Sequence, residues 1–367
     1  MSRGAWAEVS AEAITHNVAT LCAVGGPVWA VVKADGYGHG AELAARAALA
    51  GGATGLCVAL VQEGVALRAA GIDARILVLS EQPETEIAAA VGHDLELTVY
   101  SQRVLDMIAR TGAVGHPVHL KIDTGMHRVG VEPADAVALA VAIERSPHTR
   151  LEGVFTHLAT ADEPSNKAAG QQIDTFDGIL ADLQAAGIEP PLVHIANSAA
   201  GMALARSRRS FMRAGIAIYG VIPGPGVHGH VHALGLRPAL SLKAEVSHVQ
   251  RRRAGDHFSY GLRGVLTHDA TVATLPIGYA DGIPRRIASV GLTVLLGGVR
   301  RSVLGVVTMD QMMIDCGDDD IRHGDEAVLI GTQGPTFLPA DAWAQRLDTI
   351  PYEILCGISA RIERRPV

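Results

Sequence analysis

Residues 28–60, VWAVVKADGYGHGAELAARAALAGGATGLCVAL, hold an apolar run, a glycine-studded loop opened by Lys33, an Ala-rich segment and a second apolar run. The two runs, VWAVV and TGLCVAL, are continuously apolar, as parallel strands buried on both faces are. Between them GAELAARAALAGG places apolar residues at helical spacing, with no Gly or Pro inside, and reads as a crossover helix. The stretch is one strand–helix–strand unit.

The unit recurs through ARILVLS, LELTVY, PVHLKID, LEGVFTH, PLVHIAN and AGIAIYG, giving eight runs between residue 28 and about residue 220. Eight strand–helix units predict an α/β fold with an N-terminal (β/α)8 TIM-type barrel. Beyond residue 232 the helical period fades into strand–turn–strand segments such as ALSLKAEVSHVQRRRAG, TVATLPIGYADG and LTVLLGGVRRSVLGVV. A C-terminal, mostly β domain is expected there. The cluster VIPGPGVHGH, residues 221–230, lies where the textures meet. The expected domains are therefore 1–231, the first eight or so residues able to pair with the C-terminal domain, and 232–367.

A chain of 367 residues exceeds the size of one ordinary core, in keeping with two domains. Its formal net charge of -7 gives no basic footprint for nucleic acid or an anionic membrane, so a small-molecule site is expected. Cys22, Cys57, Cys316 and Cys356 are widely spaced and form no C-x-x-C pair, which argues against a disulfide framework and a metal site and fits a reducing cytoplasm. The N-terminal MSRGAWAEVS has no apolar h-region, and no segment approaches the roughly 18 unbroken apolar residues of a membrane span.

In such a barrel, chemistry sits where strands end. The residues there are Lys33 after the first run, Lys121 and Asp123 in the fifth, His157 after the sixth, Asn197 and Ser198 after the seventh, and Arg213 before the eighth. This is a polar, cationic rim. A lysine there either pairs with an anion as a point charge or, held neutral, forms an imine with a carbonyl. The glycines of DGYGHG let backbone approach a ligand, and Tyr37 adds a hydroxyl. Gly215, just after Arg213, falls where barrels bind phosphate through backbone N–H groups.

Together AVVKADGYGHG, KIDTGMHRVG, FTHLATAD, HIANSAA, RAGIAIYG, SYG, PIGYADG, TMDQ and PYEILCGI resemble the alanine racemase family in order and spacing, over nearly the whole chain. The resemblance implies an isomerase that interconverts L- and D-alanine with pyridoxal 5′-phosphate, on a barrel plus a C-terminal β domain. It implies that Lys33 holds the cofactor as an internal aldimine, the cofactor acting as an electron sink. The phosphate would be held by Tyr37, Ser198, Tyr352 and the N–H groups of Gly215 and Ile216, beside Asn197 of the same motif. Arg213 would face the pyridine nitrogen, supported by His157, with Arg128 near the phenolic oxygen and the substrate.

Racemisation needs an acid-base group on each face of the Cα, since one face alone regenerates the same enantiomer. By the resemblance the second is Tyr260, reaching the active site of the other protomer of a homodimer. Met309 would offer its N–H to the substrate carboxylate, while Tyr279 and Tyr352 line the entrance and favour a small side chain. Serine is a possible second substrate, because methyl-scale discrimination is worth only about 1–3 kcal/mol. Lys121 matches a position that some members carry as a carbamylated lysine; an unmodified Lys121 paired with Asp123 is the alternative.

Where many members read GRVCMD this chain reads GVVTMD, with Val306 and Thr308. Arg285 of GIPRR then becomes the corridor cation expected in place of the missing arginine. Three competing readings are distinguishable. A non-catalytic pyridoxal-phosphate-binding protein would lack residues 232–367, a two-domain decarboxylase would carry a cysteine motif instead of SYG and GYADG, and a Schiff-base aldolase would bind no visible chromophore.

Overall fold

The computed structural model describes residues 4–367. Strand β1 (Ala5–Val9) is followed by eight short strands: β2 (Val28–Val31), β3 (Gly55–Val58), β4 (Ile76–Val78), β5 (Glu96–Val99), β6 (His116–Lys121), β7 (Thr149–Phe155), β8 (Leu192–His194) and β9 (Met212–Ala214). These eight form one parallel sheet in the order β8-β7-β6-β5-β4-β3-β2-β9. A parallel bridge between Asn197 and Arg213 connects its two ends, so the barrel is nearly closed.

Every residue of β2, β3, β4 and β5 is buried, which is why β2, β3 and β4 run apolar without alternation, while β5 buries Glu96 and Thr98 among its apolar residues. Full burial of each Val or Leu there contributes about 1.5–3 kcal/mol. Helices Ala41–Ala50, Val61–Ala69, Glu84–Gly92, Gln102–Arg110, Ala136–Arg145 and Ala168–Ala185 carry the chain between successive strands. Alanines 44, 45, 47 and 48 are buried on the first of these, where small side chains allow close helix packing. Aromatic rings fill the middle of the barrel: Trp29 stacks on Phe211 at 4.4 Å, and His194 lies between Phe155 and Phe211 at 4.5 and 4.4 Å.

The eighth strand is displaced from its expected position. AGIAIYG was read as that strand, but β9 ends at Ala214, and Ile216–Tyr219 form a 3-10 turn. All four turn residues are buried, so they are apolar for the same reason a strand would be.

The second compact unit comprises residues 4–11 and 238–367, the first being 12–237. Helix His228–Ala233 begins inside the glycine and proline cluster and belongs to the first unit, so the units change at Arg237/Pro238 instead of 231/232. The second unit contains β10 (Leu240–Glu245), β11 (His248–Arg252), β12 (His257–Phe258), β13 (Gly264–Val265), β14 (Ala270–Leu275), β15 (Thr293–Leu296), β16 (Val299–Leu304), β17 (Met312–Asp315), β18 (Glu326–Gln333), β19 (Thr336–Leu338) and β20 (Glu363–Pro366). Strand β1 pairs antiparallel with β10 and parallel with β20, so the start of the chain is part of this sheet. Among the described residues, no helix is long and apolar enough to cross a membrane.

Candidate active site

The loop after β2 is a left-handed turn. Ala34, Asp35, Gly36, Tyr37 and Gly38 have φ of 52, 51, 62, 53 and 83°. For each non-glycine residue this costs about 1–2 kcal/mol, so neighbouring groups must hold it. Glu63 Oε1 accepts the Ala34 N–H at 2.6 Å, its Oε2 accepts those of Ala59 and Leu60, and Asp35 Oδ1 accepts the Ala41 N–H at 2.8 Å. The turn starts at the half-buried Lys33 and buries Tyr37 against Tyr219, ring centroids 5.3 Å apart.

Across the barrel, Asn197 caps helix Ser198–Ala203 by accepting the Ala200 N–H at 3.0 Å. The buried Ser198 Oγ accepts the N–H groups of Gly215 at 2.9 Å and Ala217 at 3.4 Å. With its lone pairs so engaged, that hydroxyl has its proton to donate. Gly215 closes the cradle, since a Cβ there would lie 2.6 Å from Tyr37 Oη. The Tyr37 and Ser198 hydroxyls thus meet beside Gly215, and hydroxyl donors of this kind suit a phosphate dianion.

Arg213 is buried at the end of the same cradle. It donates to His194 Nδ1 (2.7 Å), His157 Nδ1 (3.3 Å) and the carbonyls of Thr156, His194 and Ile195. Burial lowers its pKa to about 10, which leaves it protonated at neutral pH. His157 is held well below the usual imidazole range by burial and by the charges of Arg213, Arg128, Lys121 and Lys33. It is therefore neutral and able to accept from Arg213.

Lys121 ends β6 as a buried amine with a pKa lowered to about 7, by burial first and then by Arg213, Arg128 and Lys33. Asp123 directs its carboxylate to the backbone N–H groups of Gly125, Met126 and His127. Among the described residues it forms no ion pair with Lys121. Arg128 is exposed beside this group, and a small cleft is lined by Lys121, Asp123, Arg128, Thr156 and His157.

Most of the C-terminal candidates sit on exposed turns of their own domain. Tyr260 is 74% exposed at the tip of a turn where Ser259, Gly261 and Leu262 all have positive φ, and Ser259 Oγ donates to the Val306 carbonyl. Met309, 52% exposed, lies in a turn closed by Thr308 N–H to the Gln311 carbonyl and joined to Tyr279 and Ala280 through the Thr308 and Met309 carbonyls. Thr308 Oγ1 also donates to the Gln311 carbonyl, so the residue that replaces the usual cysteine tightens this turn. Tyr279 and Arg285 are exposed, and Tyr352 is half-buried on helix Pro351–Cys356.

Residues 9–223 match the family model for the alanine racemase N-terminal domain, and residues 239–366 match that for the alanine racemase C-terminal domain. The chain belongs to the alanine racemase family. It is 44% identical to an alanine racemase of Symbiobacterium thermophilum, over 99% of this chain and 97% of that protein. To one of Thermobifida fusca it is 43% identical, over 99% and 98%. Among solved structures, alanine racemase from the D-cycloserine-producing Streptomyces lavendulae superposes with a TM-score of 0.94 at 38% identity, covering 99% of this chain and 97% of that one. The Bacillus anthracis enzyme with bound L-Ala-P gives 0.93 at 37% identity, covering 100% and 96%.

In this member of the alanine racemase family the rim residues were legible as motifs, but three residues beneath them were not. Glu96, His119 and His194 are buried and link to Arg213 through hydrogen bonds. Their signal was available: each is a polar residue that precedes the rim and lies between apolar neighbours, in LEL, VHL and VHI.

Proposed function

We propose that this chain interconverts L-alanine and D-alanine with pyridoxal 5′-phosphate, Lys33 and Tyr260 serving as acid-base groups on opposite faces of the substrate Cα. The observation that carries the reading is the cradle of Tyr37, Ser198 and Gly215 at the barrel mouth that also holds Lys33, on a chain matched by both family models. Bound pyridoxal phosphate supplies an electron sink that acidifies the substrate Cα proton.

The protein's residues do the rest. Tyr37, Ser198 and the Gly215 and Ile216 N–H groups hold the phosphate, next to Asn197, which sets the helix start. Arg213 donates to the pyridine nitrogen without surrendering its proton, and neutral His157 orients it. Arg128 faces the phenolic oxygen and the substrate carboxylate. On the C-terminal domain, family likeness assigns Tyr352 to the phosphate, the Met309 N–H to the substrate carboxylate and Tyr279 to the entrance. Exposure of Tyr260, Leu262, Tyr279 and Met309 supports a homodimer in which that domain completes a partner's site. The wide spacing of the four cysteines, with no C-x-x-C pair, supports a reducing, cytoplasmic setting.

Incubation with L-alanine followed by chiral chromatography tests the activity, with L-serine and L-lysine run in parallel. D-alanine as main product is expected; no D-amino acid from any of the three contradicts the reading.

Two site predictions accompany it. In Gly215→Ala the new Cβ, 2.6 Å from Tyr37 Oη, presses on that buried ring and fills the cradle. The variant is expected to fold normally but bind pyridoxal phosphate at least about tenfold more weakly by equilibrium titration, and unchanged affinity would count against the cradle. At Lys121, the neutral amine forms an N–C bond to carbon dioxide and releases one proton, exchanging an uncharged buried amine for an anion facing Arg128. Because its pKa is about 7, the reactive neutral form grows as pH rises. Native mass spectrometry in bicarbonate is expected to show a species one CO2 heavier that increases from about pH 6 to about pH 8 and is missing in Lys121→Gln. Its absence from the parent protein throughout that range leaves the lysine unmodified.

A further inference from the structure

Arg213 is buried, and none of its five hydrogen bonds goes to a carboxylate. A counter-charge lies further down the barrel, through two imidazoles. His194 Nε2 is 2.9 Å from His119 Nδ1, and His119 Nε2 is 2.7 Å from Glu96 Oε2. Glu96 is in turn held by Arg75, which also bonds Glu152 Oε1 at 2.6 Å.

The direction of the protons follows from the chemistry of the ends. Arginine only donates, so His194 Nδ1 accepts, and the single proton of a neutral His194 sits on Nε2. That N–H donates to His119 Nδ1, which places the His119 proton on Nε2, facing Glu96. Reversing the chain would set an N–H of His194 against an N–H of Arg213. Burial favours raising the pKa of Glu96, but hydrogen bonds from His119 and Arg75 outweigh it and keep the carboxyl ionised.

The rings have little freedom to escape this arrangement. His119 and His194 are fully buried, and His194 is clamped between Phe155 and Phe211 at interplanar angles of 10° and 24°. Beside His119, residue 153 is a glycine whose Cβ would lie 2.4 Å from Nδ1. With ring planes fixed by packing, the tautomers are what the end groups decide.

We propose that Glu96, acting through His119 and His194, is a positioning residue for Arg213: it imposes one proton arrangement along the chain and so fixes the His194 Nδ1 acceptor that aims the guanidinium toward the cofactor's pyridine nitrogen. This rests on the assignment of Arg213 made above. A glutamine at position 96 can accept or donate, so it removes the directing charge while nearly preserving shape. The reversed arrangement then becomes accessible, and the guanidinium loses its fixed acceptor.

The test uses the full-length chain with 15N-labelled histidine, comparing the parent with Glu96→Gln and Glu96→Asp. In cofactor-free parent protein, His119 and His194 are expected to show 15N shifts of pure Nε2–H tautomers; Nδ1–H His194 in the parent overturns the proposal without any variant. Glu96→Gln is expected to give mixed tautomers, and Glu96→Asp, which keeps the charge, a parent-like spectrum. In the loaded enzyme, Glu96→Gln is expected to lower kcat about tenfold with KM within about twofold, and to make the cofactor's visible absorbance pH-dependent across the neutral range. A folded Glu96→Gln with parent-like tautomers and pH profile, even if less heat-stable, reduces the chain to core packing and refutes the proposal. A parent protein that binds no pyridoxal phosphate refutes the proposed function instead, and the cofactor-free spectra still decide this point.

Discussion

Lys33→Ala is expected to abolish racemisation, lowering kcat by at least about 10³-fold, and to yield protein without the visible colour of a lysine-held cofactor. Lys33 stands at the tip of β2, where the chain enters the left-handed turn fixed by Glu63 and Asp35. Its amine is therefore delivered by backbone whose geometry is already specified, and no flexible loop has to find the position. Lys121 is the other lysine near the rim, but it ends β6 in the cleft beside Asp123 and Arg128 and is not placed to take over. The substitution removes a half-buried chain end and leaves the strand core intact, so the thermal midpoint is expected to change little. Lys33→Ala protein that stays yellow and racemises alanine would show the assignment to be wrong.

Tyr260→Phe should separate the two halves of the reaction. Only one hydroxyl is lost, from a ring that is 74% exposed, so stability should stay within about 0.5 kcal/mol of the parent. Loss of a general acid-base group costs about 10²–10⁴-fold in rate, and racemisation should fall by that amount while the cofactor remains bound. In heavy water, the enantiomer whose Cα–H faces Lys33 should continue to exchange its proton for deuterium, and the other should not. Equal exchange from both enantiomers in this variant would remove Tyr260 from the mechanism.

The barrel was readable because parallel strands buried on both faces force long apolar runs, and β2 through β8 fall on the segments those runs mark. The eighth failed for a specific reason: Ile216–Tyr219 are buried in a 3-10 turn, and burial without periodicity looks the same in either structure. Glycines 36 and 38 announced a loop with positive φ, but nothing local announced it for Ala34, Asp35 and Tyr37. Their conformation is held in part by Glu63, some thirty residues away, and is a tertiary effect. Rim residues such as Arg213 and Ser198 are visible as motifs, whereas Glu96 and His119 are polar residues within strands and belong to no motif. Their partners lie on other strands, and only the barrel's register brings them together.

The central claim is that Lys33 and Tyr260 act on one substrate carbon from two different chains. Mixing Lys33→Ala and Tyr260→Phe proteins under conditions that let subunits exchange tests it most directly. In a two-fold dimer with shared sites, each mixed dimer carries one site in which both residues are intact, so equal mixing should restore about a quarter of the parent's sites. Racemase activity rising toward that level from two inactive proteins is the predicted result; a mixture whose subunits have exchanged yet remains inactive would contradict the account.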